Sequence, residues 1–350
     1  MKRILVWAAC ALFCVAACIP TEMTSEADNG ILVVSLSGAG DPLTKAGTAV
    51  MGNDAKLHHV EVFIFKTDGT LYRRDTLAEN VTSRSLEGIK AGYYYLAAVA
   101  NGPDLSSVQT RTNLEQAAIT LSMNNPAQGF LMYGAPSGMV TVNSGAATSV
   151  SIPLTRHVSR VCLTTVENRL PSDYGTLRVE CAFLENVVGD WNIAGSGNPS
   201  GYLNQAGRKA GKSTSTTAAD MISTAADAEC AALTFSTVGS TVARGTVSDT
   251  LNKALYTFPN RLAASNDHFA GTTGNVCARL VLLVTYGSSG DRWYYPVTIP
   301  AMERNKSYDV SFVISGPGSS DPNQKVMNGS MNATVSVKKW VAGTSFSGDF

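Results

Sequence analysis

Charge is scarce in this 350-residue chain: 27 Lys and Arg balance 27 Asp and Glu, only 15% of residues are charged, and there are 4 histidines. Such a balance supplies neither a basic face for nucleic acid nor an acidic tail, which argues against partners recognised through phosphate. Catalytic signatures are missing too. There is no His-Glu-x-x-His, no Gly-x-Ser-x-Gly elbow, no P-loop and no spaced cysteine pair for zinc. His58 and His59 are neighbours in a predicted strand and face opposite sides, so they cannot share a metal, while His157 and His268 read as surface or interdomain residues. The expectation is a non-enzyme with no cofactor and no metal site.

Long apolar runs are also lacking. The longest, Ile4 to Val15, is shorter than the ~20 residues that span a bilayer and follows Lys2 and Arg3. It reads as a signal peptide, residues 1–18. Its end, Val15-Ala16-Ala17-Cys18, has the small residues that admit a lipoprotein peptidase and the thiol that receives diacylglycerol. Cys14 is a poorer acceptor because bulky Phe13 precedes it. Each buried methylene of an acyl chain contributes about 0.8 kcal/mol, so a lipid on Cys18 holds until the polypeptide is cut.

Outside the leader cysteine is sparse: Cys162, Cys181, Cys230 and Cys277 remain. An exported chain could pair them in one or two disulfides, yet three sit in apolar strand-like runs where a free thiol acts as a small hydrophobe. What is abundant is the strand pattern, short β-branched or aromatic runs bounded by Gly, Asn, Asp or Pro. In the first half these are 31–37, 58–66, 70–74, 82–86, 93–100, 139–142 and 149–154, with a helix predicted from Leu105 to Leu121 by roughly helical apolar spacing. A second series follows at 157–165, 177–184, 254–258, 278–286, 293–299, 308–314 and 333–340. The stretch Gly195 to Glu229, poor in large apolar residues, reads as a surface insertion with a short helix at Thr217 to Ala228. The chain is expected to be mostly β, with a boundary near Pro153 to His157.

Four segments together resemble the fimbrillins of Bacteroidales, the major and minor subunits of type V pili. They are Ala55-Lys56-Leu57-His58-His59-Val60-Glu61-Val62-Phe63-Ile64-Phe65 with Asp68-Gly69, Pro153-Leu154-Thr155-Arg156-His157-Val158-Ser159-Arg160-Val161, Met302 to Tyr308 running on to Gly316-Pro317-Gly318, and Ala333 to Trp340. Their order and spacing cover the chain from about residue 30 to its end. The resemblance implies two transthyretin-like β-sandwich domains with a short helix in the first, a lipoprotein precursor of the outer membrane, and polymerisation by strand exchange after proteolysis. The corresponding division is a leader at 1–18, a propeptide with a removable strand at 19–45, a first sandwich at 46–155 and a second at 156–350.

A sandwich lacking a strand leaves unpaired backbone groups over an open core, and that edge seeks another strand. Leu32, Val34 and Leu36 alternate onto one face, so this segment could plug such a groove in the precursor. Between it and the next strand lies a Gly-rich loop with Lys45 before Ala46, a cleavage point for a trypsin-like protease; the family usually has arginine there. The donor would come from another subunit's carboxyl end, where Val335 and Val337 alternate with polar residues and Trp340 could fill a pocket. Expected partners are copies of itself or other fimbrial subunits, the protease, and the membrane through the precursor's lipid. Thr76 and Thr250 stand in Asp-Thr-Leu triplets similar to the group's O-glycosylation pattern. Two other readings stay open: a tip adhesin or glycan-binding lipoprotein using Tyr93-Tyr94-Tyr95 or Trp293-Tyr294-Tyr295, and an uncut anchor still on its lipid.

Overall fold

The computed structural model describes residues 28–38, 56–197, 201–204, 225–248, 251–262, 277–287, 290–299 and 301–340. Period-two apolar patterning and β-branched side chains make most of them strands. The first half contributes β1 (Asn29–Gly38), β2 (Val60–Phe65), β3 (Leu71–Leu77), β4 (Ser83–Lys90), β5 (Gly92–Ala100), α1 (Arg111–Gln116), β6 (Ala118–Thr120), β7 (Met132–Gly134), β8 (Val140–Val142) and β9 (Ala147–Arg156). They form one eight-stranded sheet in the order β3-β2-β5-β7-β9-β1-β4, with β8 added on β5 and β6 left out. The sheet folds over, so that Val62 and Ile64 of β2 and Leu96 and Ala98 of β5 share a core with Val34 of β1, Leu86 of β4 and Ile152 of β9. The β2–β3 hairpin turns at Asp68-Gly69, where Gly69 takes φ 82° and the Asp68 carboxylate accepts from the Thr70 amide at 2.8 Å.

The second half contributes β10 (Ser159–Asn168), β11 (Leu177–Glu185), β12 (Val187–Val188), β13 (Asp190–Asn192), β14 (Tyr202–Leu203), α2 (Ala225–Glu229), α3 (Ala231–Thr234), β15 (Phe235–Val242), β16 (Val247–Ser248), β17 (Lys253–Thr257), β18 (Ala278–Tyr286), β19 (Asp291–Ile299), β20 (Lys306–Ile314) and β21 (Met331–Lys339). One sheet runs β16-β10-β20-β21 with β17 also on β10, and a second runs β15-β11-β18-β19. Val161, Val310 and Phe312 of the first pack in the same core as Val179, Leu280 and Leu282 of the second, the arrangement of a sandwich. The protein is thus mostly β, as expected.

Only His157 and Val158 separate β9 from β10. The one ladder among the described strands that joins the two sides of this link pairs Thr120, Ile119 and Ala118 of β6 with Asp190, Trp191 and Asn192 of β13. Apolar packing also crosses it, since Phe63, Phe65 and Val99 belong to one cluster with Val161, Tyr256 and Phe258.

Several expectations need correction. The helix read from Leu105 to Leu121 is only α1, because β6 takes Ala118 to Thr120 for its pairing with β13. The 195–229 stretch is not simply surface: Asn204 and Asp227 are buried, and the Asn204 amide is held by the Asp227 carboxylate at 3.0 Å. Of its expected short helix, residues 217–224 lie outside the described residues and α2 begins at Ala225. Of the two readings for His157, surface or interdomain, the surface one fails, since the residue is fully buried at the link between β9 and β10; His268 lies outside the described residues. All four cysteines are buried thiols outside any disulfide, so the thiol alternative holds. Burial pushes the Cys162 thiol up to about 11, with Asp309 adding to it and Arg160 and Lys338 opposing.

Candidate functional site

The feature with the clearest capacity to act is the slot filled by β1. On one side β1 runs parallel to β9, from Ile31 opposite Ala147 to Gly38 opposite Leu154. On the other it runs antiparallel to β4, from Asn29 opposite Lys90 to Ser35 opposite Ser83. Strand alternation sends Leu32, Val34 and Leu36 inward, and all three are completely buried. Gly30 sits where an added side chain would strike the carbonyl of Asn143 and the side chain of Val142, so β1 enters the slot under close backbone cover. Burying one such side chain contributes about 1.5–3 kcal/mol, so the three together contribute roughly 5–9 kcal/mol. A domain's whole stability is about 5–15 kcal/mol. The slot cannot stand empty without cost, and whatever leaves it must be replaced by something similarly apolar.

The slot's wall has a second attachment. The ends of the sheet path, β3 and β4, are joined through side chains: Arg73 Nη1 donates to the Glu87 carbonyl at 2.7 Å, Arg84 Nη1 to the Thr76 carbonyl at 2.6 Å, and the Lys90 amide to the Tyr72 hydroxyl at 3.2 Å. Asp75 Oδ1 accepts from Arg73 Nη2 at 2.8 Å and raises the Arg73 pKa chiefly through that hydrogen bond. Sequence reading missed these ties, since a lone arginine on a strand gives no sign of which carbonyl it will meet.

At the other end of the chain, β21 pairs with β20 from Met331 opposite Ile314 to Lys339 opposite Lys306 and forms the sheet's edge. None of its residues is buried: Val335 is half-buried and Val337 is 58% exposed. Trp340, just beyond it, is different. It packs on Phe130 at 5.3 Å and Tyr256 at 5.7 Å, and the guanidinium groups of Arg156 and Arg160 lie over its ring at 4.7 and 4.9 Å. The indole therefore seals the junction between the two halves, with cation–π attraction on top of its burial. Within one chain the structure does not bring Val335, Val337 and Trp340 to Leu32, Val34 and Leu36, which belong to a different core cluster.

Cys18, Lys45, Ala46 and Thr250 lie outside the described residues. Thr76 is exposed on β3, whose outer edge pairs with no other strand among the described residues. The aromatic triplets make poor stacking platforms: Tyr94, Tyr294 and Tyr295 are buried, and Tyr93, 60% exposed, is the open ring among them. Both neighbours in Tyr294-Tyr295 are buried because β19 is covered on both faces.

Comparison with known proteins agrees with this architecture. Residues 34–344 match the family model of fimbrillin-A associated anchor proteins Mfa1 and Mfa2. No match is found among curated proteins. Among solved structures, a protein of Bacteroides eggerthii assigned to cell adhesion is 20% identical over 89% of this chain and 96% of its own, with a TM-score of 0.62. The fimbrilin FimA of Porphyromonas gingivalis is 16% identical over 91% of this chain and 99% of its own, with a TM-score of 0.60. A protein of Parabacteroides distasonis, also assigned to cell adhesion, is 16% identical over 90% and 100%, at 0.60. At these identities the likeness is one of fold.

Proposed function

Because the chain belongs to the family of fimbrillin-A associated anchor proteins Mfa1 and Mfa2, we propose that it is a structural subunit of surface fimbriae in which β1 is a temporary plug, exchanged during assembly for a strand of another subunit. The observation that carries this reading is the slot itself, an interior position between β9 and β4 filled by a strand, Asn29–Gly38, that lies upstream of Lys45 in the sequence. On this reading Cys18 carries the lipid that delivers the precursor to the outer membrane. Hydrolysis of the Lys45–Ala46 peptide bond then does two things at once, since it separates residues 46–350 from the acylated cysteine and frees β1 from covalent attachment.

The incoming strand must place apolar side chains where Leu32, Val34 and Leu36 stood. The carboxyl-terminal segment fits, because Val335 and Val337 share one face of β21 and give up little burial on leaving their own sheet. Trp340 is the costly part of that departure and its natural brake. The four-part division at residues 18, 45 and 155 follows the same logic. The test is Lys45→Ala, followed by membrane fractionation and electron micrographs: the variant should stay lipid-anchored and monomeric, and abundant normal fibres from it would refute the scheme.

A second reading, an uncut anchor subunit, draws on the family's own description. It differs in a single observable, the amino terminus of the surface form, which would be acylated Cys18 instead of Ala46.

A further inference from the structure

A polar cluster lies beside the β9–β10 link, apart from the β1 slot. His157 is wholly buried, and neither ring nitrogen finds a partner in good hydrogen-bond geometry, the Ile193 backbone offering only a weak contact. Its ring meets Trp191 at 6.3 Å and Phe258 at 6.5 Å, both edge-on. Burial pushes its pKa down to about 3, with Arg304 acting in the same sense and the Ile193 carbonyl opposing. A neutral imidazole still carries one donor and one acceptor, and leaving such groups unmatched costs about 1–3 kcal/mol each.

Two guanidinium groups converge on the peptide next to it. Arg261 Nη2 donates to the Gly195 carbonyl at 3.1 Å and stacks over Trp191 at 4.9 Å. Arg304 Nη1 reaches the Ala194 carbonyl at 3.5 Å. Among the described residues neither makes an ion pair. Glu115, the carboxylate whose backbone carbonyl receives the Ala194 amide, is engaged by Arg111 at 2.6 Å, and Glu303 is exposed. Burial and the charge of Arg261 together pull the pKa of Arg304 down, while Tyr133 opposes. Gly195 has φ +65°, and a side chain there would stand 2.9 Å from Arg304 Nη1 and 3.7 Å from the His157 ring. The glycine keeps clear a spot that both of those groups border.

Two like charges held at successive carbonyls of the 194–195 turn, Arg261 exposed and Arg304 partly buried, lie beside a buried imidazole and leave cationic donors open to an anion; local conflict of this kind collects at binding sites. We propose that Arg261, Arg304 and His157 form a carboxylate-binding site at the junction of the two halves. The paired guanidinium groups supply charge and forked donors that suit a carboxylate, and the imidazole supplies one N–H at the back. The carboxylate is either a free small acid or an acidic side chain of a neighbouring subunit. The proposal does not depend on strand exchange.

The test titrates sodium acetate into the purified full chain at constant ionic strength, with chloride as the control and inorganic phosphate as a second arm, reading calorimetric heat and the thermal midpoint. Acetate should bind saturably and raise the midpoint. Arg261→Gln and Arg304→Gln should each weaken acetate by 10-fold or more while leaving the unliganded midpoint equal to or above the parent's, because a repulsion has been removed. Arg169→Gln, at an arginine paired with Glu167 at 2.6 Å, should leave binding unchanged. Acetate heat that is absent, non-saturable or unaltered in both variants would overturn the proposal. So would a lower midpoint in both variants, which would make the guanidinium groups mere ties to the 194–195 turn, or saturation by phosphate alone. Acetate that blocks self-association in the parent would identify the source as a neighbouring subunit, whereas unaltered self-association would identify a free acid.

Discussion

His157 gives the junction a definite acid response. Its folded pKa of about 3 lies below the unfolded value of 6.5, so the unfolded chain binds the extra proton between these limits and stability falls as pH drops from about 6.5 toward 3. By pH 5 the loss is about 2 kcal/mol. Urea unfolding at pH 7 and pH 5 should show it in the parent and largely lose it in His157→Gln; an equal acid loss in both would remove His157 as the cause. Arg279 presents another buried charge, 3.5 Å from Glu185, and the two side chains are 2% and 0% exposed. Arg279→Met leaves that carboxylate buried and should cost about 3–5 kcal/mol by chemical denaturation. At this scale the alternating face of Leu32, Val34 and Leu36 is readable from sequence, because period two alone assigns it. The clamp on Trp340 is not, since Arg156, Arg160, Phe130 and Tyr256 come from separate stretches of chain that only the folded junction brings together.

Among elements, β1 and β21 are opposites. β1 is an interior strand with three completely buried side chains, whereas β21 is an edge strand with no buried residue and is held by its ladder to β20 and by Trp340 beyond its end. The ties from β3 to β4 matter here, because among the described strands β1 is the one that pairs with β4, and on the proposed exchange it would leave. On the proposed exchange, Arg73, Arg84 and Tyr72 would keep that wall in place and the slot between β4 and β9 shaped for a replacement. The double variant Arg73→Ala/Arg84→Ala should therefore fold as a precursor at nearly parental stability but assemble several-fold more slowly after cleavage, measured by light scattering. Unchanged assembly would show that β4 needs no such support. Strands with strong β-branched or aromatic runs, such as β2, β5, β18 and β20, were legible from the sequence. β15 was not, because Phe235-Ser-Thr-Val-Gly-Ser-Thr-Val mixes small polar residues into both faces. The helix was overextended because apolar spacing from Leu105 to Leu121 fits helix or strand equally until β13 claims Ala118 to Thr120.

For the molecule as a whole, the predominance of β structure is readable because strand patterns and punctuation recur along the chain, and the family resemblance because four particular segments carry it in order. The contacts that fasten the halves together were hidden, since the β6–β13 ladder and the Trp340 clamp use residues that only the completed fold makes neighbours. These contacts bear on assembly. Trp340 ties the end of β21 to both halves, so on the proposed exchange release of the carboxyl-terminal segment would loosen the junction as well. Trp340→Ala should thus lower the thermal midpoint of the isolated subunit, with a loss of about 3–5 kcal/mol typical of a buried Trp. In calorimetry the variant should also separate into two transitions where the parent shows one.

The central claim is that β1 is a temporary occupant removed by a cut after Lys45. Amino-terminal sequencing of subunits taken from intact surface fibres tests it most directly. The account predicts a chain beginning at Ala46, with β1 absent from the fibre; fibres whose subunits still begin at acylated Cys18 would contradict it.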